Sequence, residues 1–251
     1  MDRDVTRTAP AFPPGDAGSD TEGDHARSPA AYSLRTLVQP LIAAARRRRA
    51  ARLQDLIERL AAAKGGCRII DLGGEPGYWK DFDLERLRAL NVSIAIVNLA
   101  PQTVADPMFS FLQGDACSVA QFEDASFDLA HSNSVIEHVG EWDAMRAFAG
   151  EVRRLAPSYY VQTPYFWFPI EPHFMTPLFH WLPEPTRVQA LLKRGFGHHA
   201  RERTVDAAIR TIRSARLLDR AQFAALFPDA RYEHERAFGL VKSLIGVRVA
   251  G

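Results

Sequence analysis

Lysine is scarce: of the 31 basic residues only Lys64, Lys80, Lys193 and Lys242 are lysines. A net positive field is missing as well, because 30 acidic residues bring the formal charge to +1, and nothing global argues for a nucleic-acid partner. Cysteine occurs only at Cys67 and Cys117, without a metal-type spacing or a disulfide framework, and this usage suits a reducing compartment, expected to be the cytoplasm. No apolar run approaches the roughly 20 residues that a membrane-spanning helix requires. Residues 37–45 come nearest and are interrupted by Pro40. The early basic residues are followed by no apolar core of a signal peptide, and no internal repeat is visible. What is present is a chain of 251 residues, 47% hydrophobic, enough to bury one substantial core in a single α/β domain with extensions.

Residues 1–30 are rich in Pro, Gly, Ser, Thr and Asp and hold few large apolar side chains, so a disordered, dispensable tail is expected there. Residues 31–64 read as a basic helix, with Leu53, Leu56, Ile57 and Leu60 on one apolar face. Its arginines, Arg46 to Arg49 and Arg52, leave two readings: contact with an anionic membrane surface or RNA, or, preferred, a solvated helix packed beside a sheet. Residues 65–251 form the expected catalytic domain.

That domain is organised around Arg68-Ile69-Ile70-Asp71-Leu72-Gly73-Gly74-Glu75-Pro76-Gly77-Tyr78-Trp79. A β-branched apolar run ends in an acid and closely spaced glycines, the pattern of strand, tight loop and helix. Ligands of open α/β sheets bind outside the carboxyl ends of the strands, which places a nucleotide-like molecule on this loop. The glycines are expected to turn the backbone and to admit the ligand closely. Further strands are read at 91–98, 109–113, 127–133 and 158–163, an amphipathic helix at 141–156, a helical stretch at 204–227 that breaks near Asp219, and a terminal hairpin through Gly239.

The loop resembles the first motif of class I S-adenosylmethionine (SAM) dependent methyltransferases, the small-molecule type 11-like group, with Asp71, Gly73 and Gly77 matching and Glu75 where the middle glycine is expected. The resemblance continues in order along the chain. Asn98, followed by Leu99, stands where an acid accepts from the ribose hydroxyls. Asp115 and Ala116 stand where an acid and a backbone N–H meet adenine. Asn133 and Ser134-Val135-Ile136-Glu137-His138-Val139 resemble the loop that crosses the methionine end. It implies a Rossmann-like α/β fold whose seven-stranded, mostly parallel sheet has the order 3-2-1-4-5-7-6 and closes with an antiparallel hairpin. It also implies SAM as cofactor, held by Asp71, Gly73, Gly74, Glu75, Gly77, Asn98, Leu99, Asp115, Ala116 and Asn133.

The same loop is similar to the Glu-x-x-Glu-His segment of ubiquinone-pathway O-methyltransferases, which use it for a divalent metal. Ser134 replaces the first Glu, so no metal site is expected. After the fifth strand, an aromatic and Pro-rich segment, 164–200, reads as a cap over the transfer site, with Glu171 and His173 embedded in it. His138 and His173 are the candidate bases, and Glu137 or Glu171 would orient an imidazole. The expected reaction is methyl transfer to an O or N of a small-molecule or glycan-type acceptor. Two alternatives stay open: a non-catalytic SAM-fold subunit, and an RNA 2′-O-methyltransferase, whose Gly-x-x-Pro-Gly-x-Trp loop is similar to residues 73–79 but whose Lys-Asp-Lys-Glu tetrad finds no well-placed lysines here.

Overall fold

The computed structural model describes residues 29–250 apart from His198, with side chains from residue 46 onward. The tail of residues 1–28 lies outside the described residues; residues 29 and 30, assigned to it from sequence, open a helix instead. Two compact units are distinguished, Met1–Ile42 and Ala43–Gly251. The described part of the first is helical, and the candidate site lies wholly in the second.

In chain order the elements are α1 (Pro29–Lys64), β1 (Cys67–Leu72), a 3-10 turn at Pro76–Asp81, α2 (Leu84–Ala89), β2 (Val92–Asn98), β3 (Phe109–Gln113), β4 (Leu129–Asn133), a 3-10 turn at Ile136–His138, α3 (Trp142–Leu155) and β5 (Ser158–Pro164). The cap follows, with β6 (Ile170–Glu171), β7 (Thr176–Pro177), a 3-10 turn at Phe179–Trp181 and α4 (Glu184–Lys193). The chain closes with α5 (Val205–Arg213), α6 (Arg220–Leu226), β8 (Arg231–Ala237) and β9 (Leu240–Arg248). The break near Asp219 is the N-cap of α6, where the Asp219 side chain accepts from Gln222 N and the Gln222 side chain returns to Asp219 N.

The main sheet has the order β3-β2-β1-β4-β5-β9-β8, parallel from β3 to β5, with β9 antiparallel to both neighbours. The expected order is therefore the observed one once β6 and β7 are set aside as a separate pair within the cap. Successive side chains on a strand face opposite ways. Ile69, Ile94 and Ile96 accordingly meet Leu53, Ile57 and Leu60 of α1 and Leu87 of α2 on one face. Ile70, Leu72 and Val97 meet Met145, Phe148 and Val152 of α3 and Phe223 of α6 on the other. The chain reverses direction across the sheet between β1 and β4, so the crevice at their carboxyl ends is the switch point at which this architecture binds ligands.

The aromatic segment behaves as more than a lid. Phe174, Phe179, Val188, Leu191, Phe196, Ala208 and Ile212 form a small core of their own between the cap and α5. Most of the segment's aromatics are thus spent on packing, while Trp167 and Trp181 remain exposed, 5.8 Å apart.

Candidate active site

The carboxyl ends of β1, β2, β3 and β4 carry the residues expected to hold the cofactor, and they divide into those that face outward and those committed to the protein. Leu99 is 54% exposed, Asp115 and Gly77 are exposed, and among the described residues, Gly77's own chain neighbours aside, no atom lies within 4 Å of where a Gly77 Cβ would stand. Glu75 is exposed beside them. An apolar side chain, a carboxylate and a bare backbone at adjoining strand ends suit a flat base and a polyhydroxylated sugar. Asp115 Oδ1 accepts from Cys117 N at 2.8 Å, which sets the turn and holds Ala116 inward.

Three of the expected cofactor contacts are engaged by the protein itself. Asp71 does not face the crevice: its carboxylate is fully buried, accepting from Trp79 Nε1 at 2.9 Å and from His131 Nδ1 at 2.7 Å. It secures the loop from beneath. Gly73 and Gly74 are glycines for internal reasons rather than for ligand approach. Gly73 has φ +74°, a Cβ there would strike Val135, and one on Gly74 would strike the Asp71 carboxylate. Asn98, finally, is tied to its own loop. Its Nδ2 donates to the carbonyls of Gly73 (3.3 Å) and Gly74 (2.8 Å), while Oδ1 accepts from Ala100 N at 3.0 Å. The amide ties the glycine loop to the end of β2, a task that a carboxylate, having no donor, could not perform.

Asn133 is committed too, to a residue whose role the sequence did not disclose. Arg49 of α1, read as part of a solvated basic face, turns inward. Its Nη1 donates to Asn133 Oδ1 and to Gln162 Oε1 (3.2 Å), and Nε and Nη2 form a two-pronged pair with Glu235 on β8 at 2.7 and 2.9 Å. Burial opposes the charge on Arg49, but the hydrogen bonds and charge of Glu235 outweigh it and raise its pKa. Gln162 Oε1 also accepts from Ser134 Oγ at 3.0 Å, so α1, β4, β5 and β8 are joined at the rim of the crevice. Arg46, Arg47 and Arg48 stay exposed.

The four candidate catalytic residues do converge. His138 leaves the loop after β4, and its Nδ1 donates to the Ser214 carbonyl at 2.7 Å. His173 comes from the cap, and its Nδ1 faces Glu171 Oε1 at 2.7 Å. Glu171 is held by Phe174 N through its other oxygen. The two imidazoles stand at 90°, with their Nε2 atoms 3.1 Å apart. Burial by itself would lower the pKa of His173, yet the Glu171 hydrogen bond and charge raise it. Glu137 is 1% exposed: Oε2 accepts from Thr163 Oγ1 at 2.9 Å, Oε1 meets no donor among the described residues, and burial raises its pKa. Among the described residues Glu137, His138 and His173 are the group able to hold a metal ion, with one ligand atom from each within 4.8 Å of the others.

Beside this cluster lies a cavity of about 570 Å³ that shares Glu171 with it. Phe166, Trp167, Phe174 and His180 supply its flat walls, and Arg187 and Arg216 bring charge. His180 Nε2 donates to the Phe166 carbonyl at 2.6 Å, and burial lowers its pKa. The lysines assemble no tetrad. Lys64 pairs with Asp128 before β4, at the opposite end of the sheet from the crevice, and Lys80 and Lys193 are exposed. Burial lowers the pKa of Lys242, on β9. Among the described residues, no helix is long and apolar enough to cross a membrane.

A family model described as "Methyltransferase domain" matches residues 73–158, from the glycine loop to the start of β5; the cap lies outside the match. No curated protein matches the sequence. Among solved structures, the chain is similar to an O-methyltransferase family protein from Burkholderia thailandensis, at 15% identity and TM-score 0.44, covering 82% of this chain and 57% of that one. It thus spans little more than half of that protein's length. It is similar to a 1,6-didemethyltoxoflavin-N1-methyltransferase of the same organism, with S-adenosylhomocysteine bound, at 13% identity and TM-score 0.42, covering 91% and 94%. A third likeness is to magnesium protoporphyrin IX methyltransferase from Synechocystis PCC 6803, at 11% identity and TM-score 0.46, covering 90% of both chains.

Proposed function

We propose that the chain is a class I SAM-dependent methyltransferase with SAM as its cofactor, and that it methylates an O or N of a small-molecule or glycan-type acceptor bound between the Ser134 to His138 loop and the cap; the methyltransferase-domain match over residues 73–158 and the strand order support this reading. The observation that carries the acceptor class is the 570 Å³ cavity, whose aromatic walls adjoin the histidine cluster. Its volume suits a small molecule or a sugar unit and is too small for a folded RNA.

The chemistry supplied by SAM is an electrophilic methyl on a sulfonium. This chain's residues hold and aim the partners. Leu99, Gly77, Asp115 and Ala116 are assigned to the adenosine half, and the loop after β4 to the methionine half. In-line approach of the acceptor is a matter of positioning, which the packed cap provides by presenting fixed walls. Removal of a hydroxyl proton is assigned to the His138–His173 pair, with Ser214 O and Glu171 fixing the orientation of the two rings.

The test supplies the protein with methyl-tritiated SAM and, separately, the low-mass and glycan fractions or the RNA of the source cells. Label entering a low-mass or glycan product is the expected result. Label entering RNA refutes the acceptor class, and SAM binding without transfer to any fraction would mark a binding subunit. With the acceptor in hand, His138→Ala should slow single-turnover transfer by about a hundredfold with cofactor binding unchanged.

A further inference from the structure

Two imidazole nitrogens 3.1 Å apart need a hydrogen or a cation between them. The tautomers are constrained. His138 Nδ1 faces a carbonyl, which has no proton to give, so Nδ1 carries the hydrogen and Nε2 presents a lone pair. His173 Nδ1 faces the Glu171 carboxylate and carries a hydrogen by the same reasoning, so a neutral His173 also presents an Nε2 lone pair, aimed at the first. A proton on His173 Nε2 would relieve this contact. That proton still leaves Glu137 Oε1, also buried, without a hydrogen-bond donor among the described residues.

We propose that Glu137, His138 and His173 form a binding site for a first-row divalent cation, coordinated by both Nε2 atoms and the Glu137 carboxylate, which joins the cap to the loop after β4. The separation of the two nitrogens is that of neighbouring ligands on one ion about 2.1 Å from each. Each imidazole already donates its other N–H to an oxygen, one to a backbone carbonyl and one to a carboxylate, the arrangement that fixes ring orientation and raises ligand basicity around bound metals. Two imidazoles with one carboxylate favour zinc, manganese, iron(II) or cobalt over magnesium or calcium, which prefer all-oxygen sets. The third ligand, His173, lies 35 residues beyond His138 and reaches it only because the β6–β7 turn folds back. The expectation of no metal, based on Ser134, weighed ligands within one segment, whereas His173 comes from the cap.

The site rests on this geometry alone; its role rests on the methyl-transfer reading. In that reading the cation would supply Lewis acidity toward an acceptor hydroxyl, and the two imidazoles would hold the cation rather than take the proton themselves.

The test is calorimetric titration of the chelator-treated, tag-free full chain with Zn²⁺ and Mn²⁺, and visible spectroscopy with Co²⁺, in the absence of SAM and acceptor. One equivalent of saturable binding and Co²⁺ ligand-field bands are expected. His138→Ala, His173→Ala and Glu137→Gln should each weaken binding by tenfold or more, and Glu171→Gln, which meets His173 at Nδ1 rather than at the ligating Nε2, by about tenfold to a hundredfold. His234→Ala, on β8, should bind as the parent does. If a Glu137 or His138 variant fails to fold, His173→Ala, at the partly exposed edge of the cluster, and the parent's Co²⁺ spectrum decide the matter. No saturable binding by the parent, or binding unchanged in His173→Ala, overturns the site. Either result leaves the methyltransferase reading standing, and loss of methyl transfer with metal binding intact would leave the site standing.

Discussion

Replacing Arg49 by alanine removes a guanidinium that answers for four elements at once. The Arg49 and Glu235 side chains are only 11% and 9% exposed, and the pair is two-pronged, so the carboxylate left behind keeps its desolvation cost and loses its partner. Breaking one side of a buried pair of this kind costs about 3–5 kcal/mol. For a domain of this size each kcal/mol moves the melting temperature by about 2–4 °C, which gives a fall of about 6–20 °C. Gln162 and Asn133 lose a donor in the same variant and add to the loss. Thermal and urea denaturation followed by circular dichroism measure it. The double variant Arg49→Met with Glu235→Leu removes both charges and should recover at least half of the loss, because the penalty lies in the orphaned charge rather than in the absent pair. A cost for Arg49→Ala below about 1 kcal/mol, the level of an exposed ion pair, would refute the reading of Arg49 as a buried tie, as would a double variant no more stable than the single.

Asn98→Asp should weaken the glycine loop, since a carboxylate would face the Gly73 and Gly74 carbonyls, with a loss of about 1–3 kcal/mol in stability and looser cofactor binding; tighter binding would mean that the side chain turns to the ribose. Gly73→Ala should cost about 1–3 kcal/mol from crowding against Val135, in addition to its left-handed backbone, and Val135→Ala should relieve the crowding; equal costs with and without the second change would remove Val135 as the cause. Burial pushes the Cys67 and Cys117 thiols up to about 12, so on the order of one in ten thousand is thiolate at pH 8. Alkylation of the native protein should therefore be slow, rising with pH and becoming rapid in denaturant; rapid native labelling at pH 8 would contradict the burial.

The sheet was legible because β-branched runs, breaker residues and one acid-glycine loop all point to the same alternation, and the family resemblance then supplied the strand order. The helix face Leu53, Leu56, Ile57 and Leu60 was legible from its period. Side-chain assignments at the loop were less so. A motif names residue types at positions, and the same Asp71 that matches it is spent on Trp79 and His131, neighbours brought close by the fold. Arg49 in a run of four arginines has no local mark that singles it out as the buried one; only Glu235, 186 residues away, does that. The convergence of His138 with His173 followed from strand-end geometry, but the Nε2 contact between them depends on the path of the cap, which no periodicity encodes. α4 was absorbed into the aromatic segment because its short pattern lies between prolines and glycines.

The central claim, a cofactor site at the carboxyl ends of β1 to β4, is tested most directly by calorimetric titration of S-adenosylhomocysteine into the parent and into Leu99→Asp. Leu99 is 54% exposed and lies in none of the three hydrophobic cores, so its replacement should leave the melting temperature unchanged. The parent should take up one equivalent, and Leu99→Asp should bind at least tenfold more weakly, a difference of about 1.4 kcal/mol, because a charge would stand where the adenine face is expected to lie. A parent that takes up no S-adenosylhomocysteine, or a Leu99→Asp variant that binds it with the parent's affinity, would contradict the account.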